Sequence, residues 1–380
     1  MHSFVHAPNS RAKLNITRGM LTLLLTYHQI MPAFVEFVFL FGKQIRAEDL
    51  HFSAFRQQTR LRGRSQGLQI KELGWSGRDI QLCYNLKSIE PTGSQPDRPW
   101  SIRHCAVSHL FDVESGRSNW IMIKGNKLMK ERMAQATSLS SVPESWDFRT
   151  IDRAFAASLK VHEIICSWSG EDWRWYVQFL ENKYRVVEQL ITTDEISIPS
   201  VLDSQHIQDQ SENTVRSVLS AFRRTTTQGT TSSVKNNGRQ GYFYITNSGK
   251  EQFVPPGVRP GERDTEEKDK RDRQQGFTFG DSRSIYFLDV QTGEAILVIK
   301  HASKILDGIL QYYRSLFETP DFPNEISQNC AEEMAQFEAH INGVQMDLQM
   351  QASRLETLQH SISEGKTLVS DQPRPVLSHR

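Results

Sequence analysis

Met334, Phe337, Ile341, Val344, Leu348, Gln351, Leu355, Leu358 and Ile362 are separated by alternating steps of three and four residues. That spacing puts all of them on one seam of a helix, and a helix with an apolar seam needs another helix alongside it. The stretch before it supplies a candidate. Thr278 with Asp281 three residues on forms a variant capping box, opening a helix that runs to about Phe317. Leu288, Ala295, Ile299, Ala302, Ile305, Ile309 and Leu316 give that helix its own stripe. Pro320 and Pro323 mark the turn between the two, so an antiparallel hairpin is expected. Self-association of the second helix is the rival, and Gln351, the one clearly polar seam member, sets register in either case. Gly365 is expected to end the seam, with 370–380 a frayed tail.

The most apolar stretch is 20–41, whose length is what a bilayer span requires. Pro32 near its middle, Glu36 and the pair His28-Gln29 count against a span. A carboxylate in hydrocarbon costs roughly 2.5–3.5 kcal/mol even on the lenient insertion scale. Two short buried helices are expected instead, 17–30 and 32–41, with Pro32 opening the second and Gly42 at its C-cap.

With 45 basic against 44 acidic residues, the chain has no global field for holding nucleic acid. Cys83, Cys105, Cys166 and Cys330 are widely spaced and form no CxxC pair, which fits reduced, buried thiols in a cytoplasmic protein. The opening residues lack the layout of a signal peptide.

Between these features the sequence reads as mixed structure. After Gly42 it stays polar through Gly77, with Arg56, Arg60, Arg62 and Arg64 on a solvated face. Strands are expected at 79–87, 100–113 and 118–124, the last two joined by a hairpin across Glu114 to Arg117. Trp120-Ile121-Met122-Ile123 is apolar on both faces and predicts a strand covered from both sides. A helix follows from about Ile151 to Thr192, split at Gly170, with Val161, Ile165, Trp168, Trp175 and Phe179 on one face. Trp168, Trp173, Trp175 and Tyr176 read as core or an inter-domain seam. From 193 to 276 the composition is Thr/Ser/Gly-rich, then mixed-charge, and predicts a disordered linker with a short helix at 205–224.

Motifs for catalysis and metal binding fail on context. Gly63 to Gly67 matches a nucleophile elbow around Ser65, yet no apolar strand precedes it. Gly365-Lys366-Thr367 resembles the end of a phosphate loop, but His360 replaces the first glycine. His104 and His109 are five apart on a strand and point to opposite faces. Asp112 and Glu114 share a strand face; weak divalent-cation binding there, by magnesium for example, is the minority reading beside plain solvation.

Several strings resemble a known family. They are the run from Leu21 through Tyr27-His28-Gln29-Ile30-Met31-Pro32 to Phe41-Gly42, then His51-Phe52-Ser53-Ala54-Phe55-Arg56 and Trp100 to Arg103. Phe111-Asp112-Val113 with Trp120-Ile121, Trp173 to Tyr176, Phe277-Thr278-Phe279 and Leu348 to Gln351 complete them. Together they resemble the fungal CorA-like transporter domain. The resemblance implies a cytosolic α/β domain feeding a long stalk helix. In such transporters that helix continues into two membrane helices around a Gly-Met-Asn loop, in a pentameric divalent-cation channel. This sequence has no Gly-Met-Asn tripeptide and ends soon after Gly365, so no pore residue is carried over.

The expected architecture is α+β: an α/β domain over 1–192, a linker over 193–276, a stalk-like helical hairpin over 277–369 and a tail over 370–380. The expected function is the cytoplasmic domain of a CorA-like magnesium transporter, truncated before its membrane helices. A soluble interaction protein acting through the heptad helix is the alternative. No catalytic or cofactor-binding residue is expected, and metal ligands are left open. Partners are expected to be a second copy or full-length family subunits through the C-terminal helix, with no nucleic acid and no membrane span.

Overall fold

The computed structural model of the chain describes residues 2–7, 12–41, 52–62, 67–70, 73–92, 99–125, 127–136, 150–196, 242–245, 251–254 and 279–371. Gly42, Arg64, Ser65, the 205–224 helix, Thr278 and the last nine residues lie outside them. The chain divides into two compact units, one from residues within Met1–Glu90, Trp100–Arg185 and Arg283–Arg380, the other from Pro91–Pro99 and Val186–Ser282. In the second unit, β6 (Tyr242–Ile245) and β7 (Glu251–Val254) pair antiparallel, Tyr242 opposite Val254. This hairpin sits inside the interval read as linker, on an aromatic run that the surrounding polar composition obscures.

The first unit is built on a five-stranded mixed sheet. Its strands are β1 (His2–Val5), β2 (Phe55–Arg60), β3 (Asp79–Pro91), β4 (Trp100–Asp112) and β5 (Ser118–Ile123), in the spatial order β1-β5-β4-β3-β2. β4 and β5 form the expected hairpin, with Phe111 opposite Ser118. β1 adds in parallel to β5, and β2 antiparallel to β3. Neither edge strand was read from sequence. β2 is the arginine-containing stretch expected to be a solvated face; its polar side chains suit an edge, where only one ladder must be satisfied.

One face of the sheet is covered by α1 (Arg18–Tyr27) and α2 (Phe34–Val38). The two helices occur where two were expected, but Pro32 sits in the turn before α2 rather than opening it. Phe34, Phe37, Leu40 and Phe41 pack there against Cys83, Ala106, Ile121 and Ile123. The opposite face carries α4 (Ile151–Gly170), preceded in the chain by α3 (Lys127–Ala136) and followed by α5 (Trp173–Ile196). Trp120 to Ile123 are all buried, so β5 is covered on both sides as expected. The break between α4 and α5 falls one residue past Gly170, and Asp172 takes φ 64 to turn the chain. Trp168 and Trp173 are buried, whereas Trp175 and Phe179 lie half-buried on a separate axis from Val161 and Ile165.

The C-terminal part is helical: α6 (Phe279–Glu318), α7 (Asn324–Asn329) and α8 (Ala331–Asp371). α6 and α8 run antiparallel, because Arg314 meets Glu338, Lys300 meets Glu356 at 2.6 Å and Asp289 meets Lys366. α8 runs in the same direction as α4 and α5, as the contacts of Ser167 with His340, Glu181 with Arg354 and Tyr184 with Ser361 show. Gly170 eases this approach: a Cβ there would meet Val344 Cγ1 at 3.0 Å, and the valine would have to shift. The seam residues Met334, Phe337, Ile341, Leu348, Leu355, Leu358 and Ile362 are buried between these helices. The helix does not stop at Gly365, which is buried inside it; the Lys366–Asp289 pair holds the last turns against α6. A glycine costs a helix about 1 kcal/mol, less than burying an apolar face returns.

Candidate functional site

The polar groups worth asking about are buried on the two faces of the sheet. β3 alternates strictly: Ile80, Leu82, Tyr84 and Leu86 on one face, Gln81, Cys83, Asn85 and Lys87 on the other. Such alternation ordinarily marks a strand with one wet face, yet all eight side chains are buried. The polar ones face the α1–α2 layer and satisfy backbone groups of its irregular segments. Gln81 accepts from Met31 N–H at 2.8 Å and donates to Gln29 C=O at 3.1 Å. Asn85 accepts from Ala54 N–H at 2.9 Å and donates to Phe52 C=O at 3.0 Å. Lys87 Nζ donates to Phe52 C=O and Ser53 Oγ at 2.8 and 2.7 Å. Buried backbone groups must find partners, and β3 supplies them.

Lys87 belongs to an electropositive corner of this face. Burial lowers its pKa to about 8. His104 stacks on Phe41 at 4.5 Å, and the Lys124 ammonium lies 5.6 Å from the same ring. Lys124 takes φ 57 where β5 ends, which swings its side chain to this face. Burial, and then the charges of Lys124 and Lys87, hold the His104 imidazole down to about 3.

On the α4 face a chain of hydrogen bonds crosses the sheet. Tyr84 OH lies 2.8 Å from His162 Nδ1, His162 Nε2 3.1 Å from His109 Nδ1, and His109 Nε2 3.1 Å from Ser118 Oγ. His109 stacks on Trp120 with ring centroids 3.9 Å apart. Burial holds His162 down to about 3, so it is neutral, with one donor and one acceptor nitrogen. If Tyr84 donates into the chain, each bond is made and Ser118, at the half-buried end, receives the last proton. The reverse polarity would strand the Tyr84 hydroxyl proton in the core. The Tyr84-to-Ser118 direction is therefore favoured, and the network fixes His162 as a neutral strut between Tyr84 and His109. A serine beside a histidine invites a nucleophile reading, but Ser118 opens a strand and accepts in the favoured polarity.

The residues singled out from sequence are dispersed. His104 and His109 do face opposite sides of the sheet. Asp112 is fully buried: Oδ1 accepts from Glu114 N–H, Ser115 N–H and Ser115 Oγ, and Oδ2 from Ser76 N–H and Ser76 Oγ, at 2.7 to 3.1 Å. Glu114 pairs with Arg78 at 2.8 Å. Asp112 thus ties the β4–β5 turn to the segment before β3, and its lone pairs are spent on donors that a cation would have to displace. Arg56 meets Glu36 at 3.5 Å, Arg60 meets Asp79 at 3.0 Å and Arg62 meets Asp321 at 2.9 Å. Gly365-Lys366-Thr367 is helical and forms no loop. The four cysteines are buried free thiols, and burial pushes Cys83 and Cys105 up to about 12. Among the described residues no group of three or more His, Cys, Asp or Glu side chains is arranged to hold a metal ion. No helix among them is long and apolar enough to cross a membrane.

Sequence reading passed over His162, Lys87 and Lys124. His162 sits inside the buried stripe of α4, and a lone histidine among Val161, Ile165 and Cys166 was the available signal.

A family described as CorA-like transporters matches residues 1–191, which takes in the sheet, α4 and most of α5. Neither the curated proteins nor the solved structures contain a match.

Proposed function

This chain belongs to the CorA-like transporters, and on that premise we propose that it is a cytoplasmic, non-enzymatic body that senses or gates divalent cations, magnesium first, for a membrane-embedded pore. The family match over the sheet and its α4 cover carries this reading. The described residues provide no membrane span, so the conducting helices belong to polypeptide outside them. Since no metal-holding cluster lies within the described part of one chain, the cation site is assigned to surfaces completed by another subunit or segment. Magnesium keeps several waters and needs only one or two protein carboxylates, which neighbouring subunit surfaces can supply jointly. The test is a thermal melt of the full chain with magnesium, manganese or cobalt, against sodium at matched ionic strength. A ligand at ten times its Kd stabilises by about 1.4 kcal/mol, so Tm should climb by a few degrees and fall back with chelator. No change in Tm or in light-scattering mass with any of these ions would overturn the proposal.

A second reading, an oligomerisation role through the C-terminal helix, is favoured by the outer face of α8. The seam is used inside the chain, but Met346 and Met350, one helical turn apart, are 64% and 51% exposed. These are the positions at which a second copy or another family subunit would meet α8.

A further inference from the structure

α1 departs from the ordinary plan of a surface helix. Such a helix turns a polar, charged face to solvent. The inner side of α1 is conventional: Leu24 and Leu25 pack against the cluster formed by Phe34, Phe37 and their neighbours. Its outer side presents Met20, Leu23 and Tyr27, which are 60%, 69% and 52% exposed. Their spacing of three and four residues places them above one another on one face. No charged side chain occurs from Gly19 to Val35. Phe39, at the C-cap of α2, is also exposed, at 77%.

The charges that flank α1 have one sign. Positions 1–35 contain Arg11, Lys13 and Arg18 and no aspartate or glutamate, although the chain as a whole is balanced at 45 to 44. Lys13 and Arg18 are exposed, at the N-terminal side of the helix. The first acid is Glu36, and it is paired with Arg56. At ten residues α1 is roughly 15 Å long, half of a hydrocarbon core, so it does not span. An uncharged Met/Leu/Tyr face next to basic residues has the chemistry of a helix lying in the plane of a bilayer surface. The apolar face enters the acyl boundary, Tyr27 stays at headgroup depth, and the cations meet lipid phosphates.

We propose that the outer face of α1 docks on an anionic lipid surface. This does not rest on the cation reading, which concerns other surfaces, and the two fail separately. The experiment is flotation of the full chain with phosphatidylcholine vesicles and with vesicles also containing phosphatidylserine. The chain should float with the anionic vesicles only, and added salt should release it. Leu23→Glu should lower the bound fraction about tenfold or more, because a carboxylate cannot follow leucine into the acyl boundary. Arg18→Gln should lower it about fivefold, since one headgroup attraction is removed. Because both side chains are exposed, the circular dichroism and Tm of the variants should match the parent, which separates a docking defect from a folding defect. A parent chain that floats with neither vesicle would overturn the proposal. So would a Leu23→Glu chain that floats as the parent does, or one that floats normally but drops in light-scattering mass, since a second copy would then be what covers α1.

Discussion

An imidazole buried without its proton is a liability in acid, and His162 and His104 are two such groups. His162 and His104 are kept neutral in the folded state down to about 3, whereas in the unfolded chain each takes up a proton below about pH 6.5. The unfolded state therefore binds more protons across that window, and stability is lost as pH falls from about 6.5 toward 3. Near pH 5 the loss is about 2 kcal/mol per ring. Denaturant midpoints should fall from neutral pH to pH 5, and midpoints that stay level would remove the claim that both rings are buried uncharged. Asp112 invites the complementary substitution. Asp112→Ala removes the acceptor of the Ser76, Glu114 and Ser115 backbone N–H groups, of which Glu114 and Ser115 can turn to water, and should cost about 1–3 kcal/mol in urea unfolding. If the residue were a cation ligand instead, its removal would show as weakened magnesium stabilisation with little change in the apo melt. The polarity of these residues was legible in sequence, but their roles were not. Asp112 beside a hairpin looks like any solvated carboxylate until Ser76 is folded onto it, and Lys87 looks like the wet side of a strand until Phe52 and Ser53 are placed above it.

At the scale of elements, periodicity did most of the work where one partner decides the outcome. The α8 seam spacing gave the buried positions correctly because any packed helix buries one stripe. Phe337 is fully buried against Tyr313 and His162, and Phe337→Ala should destabilise by about 3–5 kcal/mol. Met346→Glu on the outer face should leave the melt of a single chain within about 0.5 kcal/mol. If α8 is an oligomer contact, Met346→Glu lowers the light-scattering mass; an unchanged mass in an assembled parent would exclude that face. β1 and β2 escaped the same reasoning. Each is short and sits at an edge, where polar side chains are tolerated and alternation is not enforced by two buried faces. Gly365 follows the last buried apolar seam residue, Ile362, but does not end the helix, which runs on to Asp371.

For the whole molecule, the helical hairpin is packed along α4 and α5 rather than standing off as a rod. α6 reaches the β2 edge, where Tyr312 OH meets Thr59 Oγ1 at 2.8 Å and Phe55 lies 3.1 Å from where a Cβ on Gly308 would sit. Sheet and hairpin thus belong to one compact unit, so a divalent cation bound at either should raise the transition of both together. Separate melting of the sheet and the hairpin, with magnesium moving only one of them, would contradict that coupling. By itself the sequence determined the α+β class, the β4–β5 hairpin, the helix break near Gly170 and the two long helices, together with the case against a span at 20–41. All of these follow from short-range periodicity and from the solvation cost of charge. Only the tertiary structure decided that the seam is consumed within the chain, that the polar side of β3 is dry, and that α1 keeps an apolar face in the open. Those outcomes depend on which surfaces meet, and contacts between residues tens to well over a hundred positions apart leave no periodic trace.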